Sequence, residues 1–456
     1  MMIQDERITR LNEHEATGGD YVLYWMQQAQ RVHFNHALEY AVRRANEEGL
    51  PVLAVFGITQ RFPEASERHY AFMLEGLLET VGALAERGIR LTVRRSPPVE
   101  AVLELVDRAA MVVTDRGYLR IQRNWRRRVA DRAGCPVIQV ESDVVVPVEA
   151  VSDKEEYAAR TLRPRIEEHL QCFLVPLEAT AVERDSLDLA PDRLSLDDLG
   201  ALLAELRLSR EPDRTEHFVG GYTEARRLLD EFLDDRLESY ADQSRDPGRD
   251  CLSHMSPYLH FGQISPIEIA LAVRDASGVS QENRDAYLEE LIVRRELAMN
   301  LCHYSECYDS FDVLPDWARE TLTEHADDAR NPAYDPATLE AAETHDDYWN
   351  AAQRELVITG KMHGYMRMYW GKKILEWTAG PEDAFDIAAY LNNKYSLDGR
   401  DPNSFAGVAW CFGKHDQAWG ERPIYGKVRY MSASGLERKF DMESYLKRVN
   451  ELSAEG

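Results

Sequence analysis

The stretch YVLYWMQQAQRVHFNHALEYAVRRANEEGLPVLAVFGI, residues 21–58, decides the fold class. Two apolar runs rich in β-branched and aromatic residues, YVLYWM (21–26) and PVLAVFGI (51–58), enclose HFNHALEYAVRRANEEG (33–49), whose apolar positions recur at helical spacing. Working outward, further short apolar runs follow at 89–95 (IRLTVRR), 109–115 (AAMVVTD) and 136–142 (PVIQVES), with a second helical pattern at 68–88. Strand and helix alternating in this way predict a doubly wound parallel sheet of Rossmann-like type. The first run leads into MQQAQRVHFNHA and carries no GxGxxG, which argues against a conventional nicotinamide enzyme.

From 176 to 215 the text becomes acidic and turn-rich and reads as an interdomain linker. Beyond it, TEARRLLDEFLDDRLESYAD, PIEIALAVRDAS and RDAYLEELIVRRELAMNLCHY are helical patterns, and β-branched alternation is rare. The expected plan is an α/β domain at 1–175, a linker at 176–215 and an all-helical domain at 216–456.

With 54 basic and 80 acidic side chains among 456 residues, the net charge of −26 argues against non-specific polyanion binding but leaves room for one locally basic groove. Arginine supplies nearly all the positive charge, which suggests a salt-adapted prokaryotic host. The amino terminus is charged from Asp5 and shows no signal-peptide core, and no apolar run is long enough to span a bilayer, so a cytoplasmic protein is expected. Six cysteines without a CxxC pair read as reduced, mostly buried thiols rather than a metal site.

Two segments carry chemistry. CLSHMSPYLHFGQISP (251–266) sets Ser253 and Ser256 beside a helix-opening proline, which suits anion binding and equally a plain capped helix start. GKMHGYMRMYWGKKILEWT (360–378) puts Trp370 and Trp377 two turns apart on one helix face, and Trp349 adds a third indole. Closely spaced indoles pack cores, and they can also relay electrons.

The wording of these segments goes further than their physics. SPYLHFGQISP resembles the flavin-phosphate segment of the photolyase and cryptochrome family, whose members have an N-terminal α/β domain and a helical FAD domain. THDDYWNAAQ (344–353), GKMHGYMRMYW (360–370) and LDGRDPNSFAGVAWCFGKHD (397–416) together resemble class II cyclobutane pyrimidine dimer photolyases. The resemblance reaches from ESDVVVPVEAVSDKEEYAARTLRPRI (141–166) to GKVRYMSASGLERKF (426–440) and covers essentially the whole chain.

The resemblance implies that FAD is held by Tyr240, Ser253, His254, Met255, Ser256, Arg294, Arg367 and Asp398, with Asn392 facing flavin N5. It implies Trp370 next to the flavin, Trp349 as the middle relay and Trp377 as the surface-proximal terminus. Glu290 becomes the acid that hydrogen-bonds the dimer; read by spacing alone, Glu290 and Arg294 lie four apart and form an exposed salt bridge. Val293 stands where the wider family often has tryptophan, so Trp410, with Met368 close by, is the implied contact to a flipped-out dimer. Arg245 would hold the lesion or fill the gap left in the duplex. Lys427 and Arg429, with Arg438 and Lys439 in the same segment, would contact DNA phosphates.

The implied reaction is light-driven repair of UV-damaged DNA by electron transfer from reduced FAD, with no metal, no membrane and no obligate protein partner, by a monomer. The family also allows an antenna chromophore of the 8-hydroxy-5-deazaflavin type in the α/β domain. Two rivals are weighed against this reading. A cryptochrome-like light sensor is disfavoured by Glu290, Met368 and Trp410 and by a chain that ends soon after the FAD domain. A photolyase for the (6-4) photoproduct is disfavoured by the class II wording.

Overall fold

The computed structural model describes residues 3–15, 18–189 and 194–455. Its sheet has six strands in the order β1-β6-β5-β2-β3-β4, where β1 is Ile8–Arg10, β2 Tyr21–Trp25, β3 Val52–Gly57, β4 Arg90–Arg94, β5 Ala109–Asp115 and β6 Val137–Val140. β2 to β6 are parallel, and each falls within an apolar run identified from the sequence. The short β1 pairs antiparallel with β6 at the edge.

Both faces of the sheet are covered, which is why its strands read as continuous apolar runs. Along β2, Val22 and Tyr24 point into one apolar cluster while Tyr21, Leu23 and Trp25 point into the other. The helix His36–Glu48 begins at Asn35, whose side chain accepts the Leu38 N–H at 3.1 Å, and it ends at the left-handed Gly49.

β2 lies at the centre, with β3 and β4 on one side and β5 and β6 on the other, so the strand order reverses beside it. The carboxyl end of such a switch point is where open α/β sheets bind ligands. Here Asp115, ending β5, accepts the backbone N–H groups of Gln27 (2.7 Å), Gln28 (2.5 Å) and Ala29 (2.8 Å) and so fixes the loop after β2.

The segment 176–215 is not bare chain. Ser186 N bonds Gly88 O, Leu194 N bonds Val93 O, and the helix Leu199–Leu206 buries Leu202, Leu203 and Leu206 in the α/β core. Residues 190–193 of that segment lie outside the described ones.

No strand follows Val140 among the described residues, and the second half is helical as expected. The halves meet closely. Arg31 pairs with Asp143 at 2.6 Å and donates to Gly262 O at 3.0 Å, and Gln263 Nε2 donates to Phe72 O. Gly262 sits at φ +64, and a Cβ there would fall 2.0 Å from Gln28 O, so only glycine permits this approach.

Four of the six thiols are buried and all six are free. Among the described residues no helix is long and apolar enough to cross a membrane, and no cluster of His, Cys, Asp and Glu could hold a metal ion.

Candidate functional site

The three tryptophans form one contiguous column. Trp370 and Trp377 ride the helix Gly364–Trp377, and Trp349 on the helix Asp347–Thr359 lies between them. The Trp349 and Trp370 rings are 5° from parallel with centroids 6.3 Å apart, and Trp349 meets Trp377 at 5.6 Å and 68°. Trp349 Nε1 donates to Trp370 O (3.0 Å), and Trp370 Nε1 donates to Gln353 Oε1 (2.8 Å). The order 370–349–377 is the one the resemblance implied. Trp377 is not at the surface, however. It is only 2% exposed, because Tyr334 and His345 lie over it at 5.4 and 5.3 Å.

At the inner end, Arg367, one turn before Trp370, gives Nη2 to Asp398 Oδ1 (3.2 Å) and to Ser396 Oγ (3.3 Å). Ser396 Oγ donates to the same Asp398 oxygen at 2.6 Å. Burial alone would raise the Asp398 pKa. Arg367, hydrogen bonds from Ser396 and Ser256, and the nearby Lys361 outweigh it and hold the carboxyl well below the usual range. Arg367 Nε is buried without a partner.

The turn ahead of the helix Ser256–His260 joins this cluster. His254 stands at φ +57, where non-glycine backbone is strained. Its Nε2 meets Asp250 at 2.8 Å, and its Nδ1 lies 3.3 Å from Lys361 Nζ. Burial opposes ionisation of Asp250, yet His254, Arg236 and Lys361 hold its pKa near 2. Ser253 Oγ accepts from Tyr287 OH at 2.9 Å, and Met255 is buried. Tyr240 packs edge-on to Tyr287 at 5.2 Å.

The sequence reading missed Lys361 and Tyr287. Lys361 stood inside the quoted GKMHGYMRMYW segment, but its half-buried place beside His254 is a tertiary fact; partial desolvation lowers its pKa against the pull of Asp398 and Glu355. Asn392 is buried, and its amide donates to Ser404 Oγ on the helix Pro402–Cys411.

Glu290 and Arg294 do not pair, which corrects the i,i+4 expectation. Glu289–Arg294 is a π-helical turn, so residues five apart align, and Arg294 Nε bonds Glu289 at 3.2 Å, an acid that Arg163 also grips. Among the described residues no contact joins Arg294 to Ser253, His254, Met255 or Ser256. Glu290 is left at an exposed rim, where crowding by the surrounding protein raises its pKa; Arg294 and Arg245 oppose the rise and Glu289 adds to it. Arg245 is exposed within electrostatic reach of Glu290 and Tyr240.

Trp410 and Met368 belong to one helix contact. A Cβ on Gly371 would meet Cys411 Sγ at 2.6 Å, so the two helices touch there, and both residues flank that point half-buried. Lys427 is exposed, and Arg429 stacks over the exposed Trp419 at 4.7 Å.

A second cavity opens where the switch point faces the helical half. Its cavity volume is about 110 Å³, and it opens to solvent. Trp25, Gln27, Gln28, Gln30 and Gln122 line one side, and His260, Arg400 and Asp401 the other.

Sheet, helical half and buried indole column define a class, the photolyase and cryptochrome fold. The DNA photolyase family model matches residues 22–183. An archaeal photolyase from Sulfolobus tokodaii, solved with two FAD molecules, superposes with a TM-score of 0.68 at 17% identity, covering 94% of this chain and 89% of that one. A deoxyribodipyrimidine photo-lyase of Methanothermobacter thermautotrophicus is 52% identical over all of both chains. One of Arabidopsis thaliana is 40% identical over 94% of this chain and 89% of its own. The chain belongs to the DNA photolyase family.

FAD is the cofactor of that family. The residues fit it. A buried guanidinium nitrogen without a partner on Arg367, a half-buried Lys361 and the strained turn at His254 form a cationic cradle that suits an anionic, flat group.

Proposed function

We propose that the protein is a class II photolyase that splits cyclobutane pyrimidine dimers in DNA under light. The observation that carries this reading is the indole column, which ends at the Arg367–Asp398 cluster beside Ser256. When bound, reduced FAD supplies the electron that opens the cyclobutane ring and receives it back, so no net redox change occurs.

The chain's own residues then divide the work. Ser253, His254, Met255, Ser256 and Tyr240 hold the phosphate side of the cofactor. Arg367 balances negative charge at the ring, and Asp398 keeps that guanidinium oriented and limits its desolvation cost. Asn392, whose amide donates to Ser404, would face the flavin ring. Trp370, Trp349 and Trp377 would relay an electron towards the bound flavin.

Glu290 donates a hydrogen bond to the dimer from its raised-pKa carboxyl, a role that requires the protonated acid. Photolyases take their target out of the stack, and Trp410 and Met368 would line the pocket that receives it. Arg245, Lys427 and Arg429 supply the basic rim in an otherwise acidic surface. The cavity at the switch point supports an antenna chromophore of the 8-hydroxy-5-deazaflavin type.

The test is repair of a cyclobutane thymine dimer in an oligonucleotide by flavin-loaded protein, reduced beforehand, in light and in darkness. Light-dependent repair is expected. Flavin that is bound and photoreduced without splitting the dimer would overturn the repair reading in favour of a light sensor.

A further inference from the structure

The outer end of the indole column carries a buried charge that splitting of a dimer does not use. Tyr369, Lys373 and Trp377 are spaced four apart on the helix Gly364–Trp377 and so share one face. Lys373 Nζ lies 5.6 Å from the centre of the Tyr369 ring, 5.7 Å from that of Trp377 and 5.5 Å from that of Tyr430. Lys373 is buried, so this ammonium is held among three rings with little water to screen it.

One acid answers it. Glu376 Oε2 meets Lys373 Nζ at 2.5 Å and also accepts from Tyr425 OH at 2.9 Å. Asp346, the other carboxylate near this end, is taken up at the middle indole: it accepts the Tyr348 and Trp349 N–H groups at 3.1 and 3.0 Å and the Tyr369 OH. Tyr334 and His345, which cover Trp377 from another side, are joined OH to Nδ1 at 2.8 Å. Charge is therefore graded along the column, with a carboxylate beside Trp349 and an ammonium over Trp377.

A cation over the face of a neutral indole is attracted by the electron density of the ring. The sign reverses once the indole gives up an electron, because two positive charges then face each other across 5.7 Å. A neighbouring like charge favours the uncharged form of an acid, and the uncharged form of an oxidised indole is the one without its N–H proton.

We propose that Lys373 drives oxidised Trp377 to shed its N–H proton and that Glu376 sets the strength of that drive. The inference rests on the relay reading of the column and adds to it the group that fixes the fate of its last member. Light-excited oxidised flavin takes one electron from Trp370, and Trp349 and then Trp377 refill the vacancy, so Trp377 is left one electron short. Its N–H bond then breaks, the proton goes to solvent and a neutral radical stays on the ring. Return of the electron now requires a proton as well, which prolongs the reduced state of the flavin.

The experiment uses the full chain loaded with oxidised FAD and follows the indole radical by flash absorption, in which the protonated and deprotonated radicals have separate bands. Trp377→Phe marks the signal that belongs to Trp377. Lys373→Met should slow the proton loss by about three- to tenfold, as removal of a like charge beside an acid implies. Glu376→Gln leaves the ammonium unopposed and should speed the loss by a similar factor, while Lys373→Arg keeps the charge and should keep the rate. Opposite signs in Lys373→Met and Glu376→Gln are the signature of charge, since damaged packing would move both the same way. Unchanged rates, or both variants slower, would overturn the proposal and leave the relay standing. Should Lys373→Met fail to fold, Glu376→Gln decides alone, and a rate that does not rise overturns the proposal. If Trp377→Phe gives the same radical signal as the unaltered protein, the relay does not reach Trp377 and the proposal falls with that reading.

Discussion

The indole column and the chamber at the switch point are both deeply buried, yet they treat their polar atoms in opposite ways. In the column the Trp349 and Trp370 N–H groups each have an acceptor, one in the backbone and one in Gln353. In the chamber an indole N–H, an amide oxygen and a guanidinium nitrogen have none. A relay that only moves electrons is finished when the chain folds. A binding site is finished by its ligand, and the residue of unmet hydrogen bonds shows where that ligand goes.

The largest effect that would break this contrast is at the column's inner end. Trp370→Phe should slow photoreduction of oxidised FAD by about two orders of magnitude, read by flavin absorbance under illumination. Repair by chemically reduced protein should remain near the unaltered level. Equal loss in both assays would mean that Trp370 serves the flavin pocket rather than the relay.

The contrast itself can be measured with two glutamines. Gln353→Met strips the Trp370 N–H of its acceptor and should cost about 1–3 kcal/mol in denaturant unfolding. Gln30→Met removes an amide oxygen that has no partner and should change stability by less than about 0.5 kcal/mol. If Gln30→Met costs as much as Gln353→Met, the chamber wall is satisfied by ordered water and the contrast dissolves.

How much of this was legible in the sequence follows the range of the interactions. β2 to β6 each appear as a short apolar run, because burial on both faces leaves a purely local mark. β1 is the sequence ITR, three residues at an edge, and has no period to detect. Trp370 and Trp377 follow from helical spacing, but the position of Trp349 between them is a tertiary fact that only the family wording anticipated. Helical spacing misled at Glu290, because i,i+4 counting presumes an α-helix and a π-turn moves the partner of Arg294 to Glu289. The chamber was the least legible feature. Its walls come from the loop after β2, the helix Arg120–Arg132 and the 400–402 loop, segments joined only by folding.

Glu290 extends the comparison to the rim of the site, since its carboxyl too is completed only by what binds there. Its folded pKa is raised by the protein crowded around the rim and by the neighbouring Glu289, so the proton is held to a higher pH than in the unfolded chain. The sign follows: any stability this group contributes is present below the unfolded value and lost as pH rises through the folded one. Hydrogen-bond donation to a dimer follows the same curve, so single-turnover repair by pre-reduced protein should decline as pH rises through that raised value. Glu290→Gln donates at every pH and should flatten the profile while keeping most of the repair. Glu290→Ala should lower repair by roughly tenfold at low pH, where the unaltered acid is protonated, should approach the unaltered protein as pH rises, and should still retain flavin, consistent with loss of one hydrogen bond to a charged partner. A profile that keeps its slope in Glu290→Gln would assign the titration to another group and leave Glu290 as a rim carboxylate that shapes the field felt by Arg245 and Arg294.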